Sequence, residues 1–164
     1  MVSSLLQSIA AVTLALAALS GPSPGAAAAH AQCRVRGALP DPLCTPGATF
    51  RDATERDVCT PGWAGRHRNV SAATKRRIFA SYGITHHSRG EYEVDHLVSL
   101  ELGGSNTAAN LFPEAANPRP GFHEKDRLED RLHRLVCDGT LGLATAQKMI
   151  STDWLRAYRR YLKG

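Results

Sequence analysis

The first 31 residues contain no charged side chain, although the chain of 164 residues carries 20 Lys and Arg and 15 Asp and Glu. Within this segment, the apolar stretch 5–19 is shorter than the roughly 20 residues that cross a bilayer as a helix. The tripeptide Ala-His-Ala at 29–31 fits the small-x-small pattern of a signal cleavage site. We therefore predict a signal peptide cleaved after Ala31, and a secreted or periplasmic protein without stable membrane association. An uncleaved anchor is the alternative.

The chain also lacks any Cys-x-x-Cys pair, the spacing that is typical of a zinc knuckle. In an exported protein, an even number of cysteines predicts disulfide bonds instead. The four cysteines allow three pairings, and the sequence does not choose among them. We favour Cys33 with Cys44, which would pin the amino-terminal segment, and Cys59 with Cys137, which would tie that segment to the last helices.

Acidic residues are absent between positions 61 and 90, where basic residues accumulate. A local positive excess favours phosphate groups without reading bases, and a solvated basic helix face is the competing interpretation. The net charge of the whole chain is only +5. With no module for sequence-specific readout, the expected partner is non-specific nucleic acid. The candidate nucleic-acid-binding residues are Arg66, Arg68, Lys75, Arg76, Arg77 and Arg89.

The length after position 31 suits one domain with one modest core. Residues 32–70 are rich in Pro, Gly and Thr, which predicts an irregular segment stapled by disulfides. Residues 71–82 predict a helix that Ser71 caps and Gly83 ends. Further helices are predicted at 122–137, 144–150 and 153–162, with Ser151 or Thr152 as the cap of the last one. Trp154, Tyr158 and Leu162 form an apolar stripe that we assign to the core.

A small hairpin is predicted between these helices, which makes the fold class α+β. Residues 92–100 favour a strand that bends near His96. The sequence Gly-Gly-Ser-Asn at 103–106 predicts a turn. Residues 110–112 predict the returning strand, stopped by Pro113.

Side chains that carry chemistry flank this predicted hairpin. Asp95 and His96 are adjacent in the first strand, so their side chains point to opposite sides unless the strand bends. Asn110 can return antiparallel across the turn, and His123 begins a helix that can pack across the hairpin. One member of the Asp-His pair can then bind a metal while the other approaches a substrate.

The motifs Tyr-Glu-Val-Asp-His-Leu at 92–97, Leu-Glu-Leu-Gly-Gly at 100–104 and Asn-Leu-Phe-Pro at 110–113, followed by His-Glu-Lys-Asp at 123–126, resemble the HNH, or His-Me finger, nucleases. The resemblance covers residues 91–130. More loosely, it extends to the chain end, where the pattern is similar to small secreted bacterial proteins with an HNH signature. It implies a ββα-metal hairpin and helix within a nuclease domain of residues 71–164.

The resemblance also implies a reaction, the hydrolysis of phosphodiester bonds in DNA, with RNA as the second candidate. His96 is the candidate general base, because a neutral imidazole titrates near pH 6.5. Asn110 is the second candidate catalytic residue, since the family uses this position to orient the loop of the catalytic histidine. The sequence does not identify an immunity or inhibitor protein.

The expected cofactor is a divalent cation, foremost Mg²⁺, with Mn²⁺, Ni²⁺ or Zn²⁺ as alternatives. The resemblance implies that Asp95 holds the cation, which would act as a Lewis acid on the phosphate. We choose His123 as the second ligand, with Asp126 on roughly the same helix face as the alternative. The alternative function is an inactive HNH scaffold that binds nucleic acid or a protein partner outside the cell.

Overall fold

The computed structural model describes residues 32–163, so the predicted signal peptide lies outside the described residues. The predicted α+β class is confirmed, because helices combine with one two-stranded antiparallel sheet. The helices are α1 (Glu55–Val58), α2 (Trp63–His67), α3 (Ala72–Ser81), α4 (Phe122–Cys137) and α5 (Leu143–Leu162), and the strands are β1 (Tyr92–His96) and β2 (Leu111–Ala115). Within residues 32–163, no helix combines the length and the apolar character that a membrane crossing requires.

The hairpin pairs β1 with β2, with Asp95 opposite Phe112 and His96 opposite Leu111. The first strand ends at His96 and not at the predicted position 100, because the side chain of Asn110 bonds both backbone groups of Val98 and takes the place of a strand partner. The second strand begins one residue later than predicted and continues through Pro113, which was wrongly expected to stop it. Each strand of a two-stranded sheet has a free edge, where the missing N–H of a proline costs little.

The segment 32–70 is less irregular than its composition predicts, since it contains α1 and α2. Thr54 begins α1 with a capping box, in which its hydroxyl and the Asp57 carboxylate each accept a hydrogen bond from the other's backbone. The structure confirms the favoured disulfide pairing, with Cys33–Cys44 inside this segment and Cys59–Cys137 linking it to α4. Two disulfides indicate an oxidising compartment, extracellular or periplasmic.

Helices α4 and α5 pack against each other and form much of the core. The apolar residues of α4 are buried, and so are Trp154 and Tyr158 of α5, which were expected in the core. Those of α4 are Phe122, Leu128, Leu132, Leu135 and Val136. Leu162, expected in the same stripe, is exposed at 37%. The predicted break between two helices is a kink at Asp153, whose carboxylate accepts a hydrogen bond from the Arg156 N–H at 2.9 Å. Asp153 therefore caps the second half, and the assignment of the cap to Ser151 or Thr152 was wrong.

Candidate active site around His96

His96, the last residue of β1, borders a cleft of about 260 Å³ at the surface. The imidazole is nearly buried, with 4% of the residue exposed, so the cleft is its route to solvent. Arg68 and Lys75 also line this cleft, which places two positive charges beside the ring. Four of the predicted nucleic-acid-binding residues do not line this cleft: Arg66, Arg76, Arg77 and Arg89.

Asn106 fixes the protonation pattern of the His96 ring. Its amide nitrogen donates to the backbone carbonyl of His67 at 2.7 Å, so its oxygen faces the His96 Nε2 at 3.0 Å. Because an amide oxygen only accepts, Nε2 carries the proton and Nδ1 is the basic nitrogen. Burial lowers the pKa of His96, against the hydrogen bond to Asn106, which raises it. The ring is therefore neutral near pH 7 and able to accept a proton.

Asn110 has no exposed surface and lies under the chain segment that follows His96. Its side-chain oxygen accepts from the Val98 N–H, and its nitrogen donates to the carbonyls of Val98 and Ser105, all at 2.9 Å. Its backbone carbonyl also accepts from the Leu97 N–H at 2.8 Å. Asn110 thus makes no bond to His96 but fixes the backbone directly after it, which is a positioning contact.

Gly104 allows this close packing around Asn110. A Cβ atom at Gly104 would lie 1.7 Å from the Val98 carbonyl oxygen and 2.9 Å from the Asn110 amide nitrogen. No side chain fits such distances, so the glycine is required by the approach of two backbone segments. The Gly-Gly turn recognised in the sequence therefore supports the loop that carries His96.

Asp95 points away from the cleft, toward α4, where it meets a buried lysine. The Lys125 ammonium lies 2.5 Å from the Asp95 carboxylate and 2.6 Å from the backbone carbonyl of His96. It also bonds Glu129 one helical turn later, and Glu114 of β2 lies 3.9 Å away. Lys125 has no exposed surface. The adjacent Asp95 and His96 side chains thus diverge as predicted, and Lys125 joins the hairpin to α4 at this point.

The three carboxyl groups around Lys125 differ in how their pKa values are shifted. Burial raises the pKa of Glu114 well above its usual range, and burial raises the pKa of Glu129 to about 8. Burial also acts on Asp95, but the Lys125 ammonium and hydrogen bonds outweigh it and hold the pKa of Asp95 below its ordinary value. The charged pair in this cluster is therefore the Asp95 carboxylate with the Lys125 ammonium, whereas burial favours the neutral form of Glu114.

Two further carboxylates belong to the same strand and helix, Glu93 of β1 and Asp126 of α4. Burial raises the pKa of Glu93 to about 7, and the negative charges of Asp95 and Asp126 add to this effect. Burial and the charge of Asp95 also raise the pKa of Asp126, which His123 opposes. These shifts place Asp126 of α4 within electrostatic reach of Glu93 and Asp95 of β1. His123 itself is exposed, with its ring 4.2 Å from that of Phe122.

Asp95 and His123, the predicted metal ligands, do not belong to a preformed group of three ligand atoms. Within residues 32–163, the group with three such atoms inside 4.8 Å of one another is Cys59, His133 and Cys137. This group could bind a metal ion, but both of its sulfur atoms are in the disulfide. A cation at Asp95 would therefore need ligands from water or from groups that move.

Sequence reasoning missed Asn106, the partner of the His96 ring, and Lys125, the partner of Asp95. The spacing of Lys125 and Glu129 by four residues was a visible signal for a helical ion pair, but nothing in it indicates burial. Asn106 was assigned only to a turn. Its contact with His96 depends on how α2 and the loop after it pack against the hairpin.

No family model matches this chain, and neither a curated protein nor a solved structure matches it.

Proposed function

We propose that this protein is a secreted, metal-dependent endonuclease that hydrolyses phosphodiester bonds of DNA with little sequence specificity. RNA is the second candidate substrate. The observation that carries the proposal is the cleft in which a neutral His96, with Nδ1 as its basic nitrogen, lies beside Arg68 and Lys75. A base next to two cations is the combination that attack of water on a phosphodiester needs.

The order of elements supports the resemblance to HNH nucleases. β1 and β2 form an antiparallel hairpin, α4 follows in the chain, and Lys125 of α4 bonds Asp95 of β1. This is the order of a ββα-metal motif. His96 lies at the end of its first strand, where the motif needs its general base.

The residues around Asp95 offer the type of ligand atom that a divalent cation prefers, but their positions fit a metal site only in part. Carboxylate oxygens are the ligands that Mg²⁺ and Mn²⁺ prefer, and Glu93, Asp95 and Asp126 supply them along one side of the hairpin. Lys125 already bonds one Asp95 oxygen, so the other oxygen would remain for a metal. When bound, the cation would supply Lewis-acid stabilisation of the phosphate. Asp95 would hold it, with His123 or Asp126 as the second ligand.

The remaining roles belong to residues of the cleft. His96 would take the proton from the attacking water at Nδ1, while the bond to Asn106 keeps the ring oriented. Arg68 and Lys75 would hold the phosphate through charge, without reading bases. Asn110 and Gly104 would keep the loop after His96 in place. The absence of base-reading contacts among these roles agrees with low sequence specificity.

A second candidate function is a binding protein built on the same scaffold without catalysis. The observation that favours it is the Lys125 ammonium bonded to Asp95, because a cation already neutralises the expected metal ligand. Such a protein would use the basic cleft to bind nucleic acid and would not cut it.

A cleavage assay separates the two functions. Residues 32–164, oxidised and purified, are incubated with supercoiled plasmid in Mg²⁺, Mn²⁺, Ni²⁺, Zn²⁺ or EDTA, and binding is followed in parallel by gel shift. The nuclease predicts nicked and linear DNA with at least one metal and none in EDTA. Retarded but intact plasmid in every metal would support the binding protein and refute the enzyme.

A further inference from the structure

Cys59, His133 and Cys137 form a cluster of ligand-type side chains between α1 and α4, and none of them borders the His96 cleft. Cys59 caps the carboxyl end of α1. His133 and Cys137 are four residues apart on α4, which puts them on one helix face. One ligand atom from each residue lies within 4.8 Å of the others.

We propose that these residues bind Zn²⁺ when the Cys59–Cys137 bond is reduced. The same side chains then link α1 to α4 in two exclusive ways, by a disulfide in an oxidising compartment and by a metal in a reducing one. The chain keeps this link in both redox states. The proposal is independent of the nuclease assignment, because it uses no residue of the His96 site.

The backbone geometry suits both links. The Cα atoms of Cys59 and Cys137 are 5.5 Å apart. Two thiolates on a tetrahedral zinc ion lie about 3.8 Å from each other, given Zn–S bonds of about 2.3 Å. Rotation of the cysteine side chains provides that separation without a backbone shift. Cys137 is exposed and Cys59 is half-buried, so the ion has access from solvent.

His133 is oriented as a metal ligand usually is. Its Nε2 lies 3.0 Å from the backbone carbonyl of Val58, to which it donates. Metal-bound histidines almost always donate one ring N–H to a carbonyl or carboxylate, which leaves the other nitrogen unprotonated for the metal. With Nε2 bonded to Val58, the neighbour of Cys59 in the chain, Nδ1 would be the nitrogen that binds the metal.

The chemistry balances with a dithiol as reductant. The disulfide takes up two electrons and two protons and becomes two thiols, while the dithiol is oxidised to its own disulfide. Each cysteine then loses a proton as it binds Zn²⁺, so binding releases two protons. A small-molecule disulfide that is reduced to its dithiol takes the two electrons back, which restores the sulfur–sulfur bond and releases the ion.

The test uses residues 32–164, fully oxidised or reduced with dithiothreitol that is then removed without oxygen. Zn²⁺ binding is measured by competition with a chromophoric chelator. Co²⁺ is the spectroscopic probe, because only thiolate ligands give its sulfur-to-metal charge-transfer absorption. The reduced protein should bind one equivalent of Zn²⁺ and show this absorption, and the oxidised protein should do neither. A reduced chain that has lost helical circular dichroism should regain it with zinc.

Matched variants locate the site. Cys137→Ser should abolish the cobalt absorption, and His133→Ala should weaken Zn²⁺ binding by at least about tenfold. The double variant Cys33→Ser with Cys44→Ser should bind as wild type, because no histidine joins that pair in the described groups. The proposal is overturned if the reduced protein takes up no zinc, or if binding is indifferent to His133→Ala and Cys137→Ser.

Discussion

Lys125 is the residue whose replacement should cost the most stability. Its side chain has no exposed surface, and its ammonium bonds the Asp95 carboxylate, the His96 carbonyl and Glu129. Lys125→Met keeps the length of the side chain but removes the charge. It leaves Asp95 as a largely buried carboxylate without a cation, together with an unpaired backbone carbonyl.

The magnitude follows from this loss of partners. Removal of one member of a buried ion pair costs about 3 to 5 kcal/mol, because the other charge stays buried and unpaired. A domain of this size is stable by about 5 to 15 kcal/mol in total. With a urea slope of about 1.5 kcal/mol per molar, the unfolding midpoint should fall by about 2 to 3 M.

Urea unfolding at pH 7, with disulfides intact, measures this shift by far-ultraviolet circular dichroism. Lys148→Met is the matched control, since Lys148 is exposed on α5 and should change the free energy of unfolding by at most about 0.5 kcal/mol. If Lys125→Met does not fold, Glu129→Gln tests the same cluster with a smaller loss. A midpoint within 0.3 M of wild type, on the order of the extrapolation error, would refute the buried ion pair.

Three further predictions concern the loop, the cleft and α4. Gly104→Ala should lower the free energy of unfolding by about 3 kcal/mol, because its Cβ would overlap the Val98 carbonyl, whereas Gly65→Ala in α2 should be neutral or stabilising in the same urea experiment. Arg68→Ala should reduce the slope of log DNA affinity against log salt concentration by about 0.9. Arg76→Ala should reduce this slope less, because Arg76 does not line the cleft. Equal slope changes for the two variants in a fluorescence-anisotropy titration would contradict this. The bond from the Gly121 N–H lowers the pKa of Glu124, so its stabilisation is present above the unfolded pKa and is lost as the pH falls through the folded one. E124Q should therefore cost about 1 kcal/mol at pH 7 and little once the pH is below the folded-state pKa of Glu124, and an equal cost in both conditions would refute the charge effect.

The hairpin and its following helix were predictable because their signals are local. The alternation in β1, the glycines of the turn and the amphipathic spacing of α4 lie within short windows. The disulfide pairing was one of three possibilities, and a simple topological preference selected the pairing that the structure contains. The prediction that Pro113 ends β2 was wrong, because the sequence does not show that the sheet has only two strands among the described residues, each with a free edge that tolerates proline.

The surroundings of His96 were not predictable for the opposite reason. Asn106 reaches the imidazole only because it also bonds the backbone of His67, 39 residues earlier. Lys125 was given no role from the sequence, yet the packing of α4 on β1 buries it completely. Long-range packing decides such contacts, and a pattern of residue types along the chain contains no direct signal for it.

The direct test of the central claim is single-turnover cleavage of plasmid by wild type and His96→Ala at equal metal concentration. Wild type should cut in the presence of a divalent cation, and His96→Ala should lose about two to four decades of rate while its circular dichroism is unchanged. His86→Ala, in an exposed loop, is the matched control and should cut as wild type. Cleavage by His96→Ala at the wild-type rate, from a preparation free of other nucleases, would show that His96 is not the general base.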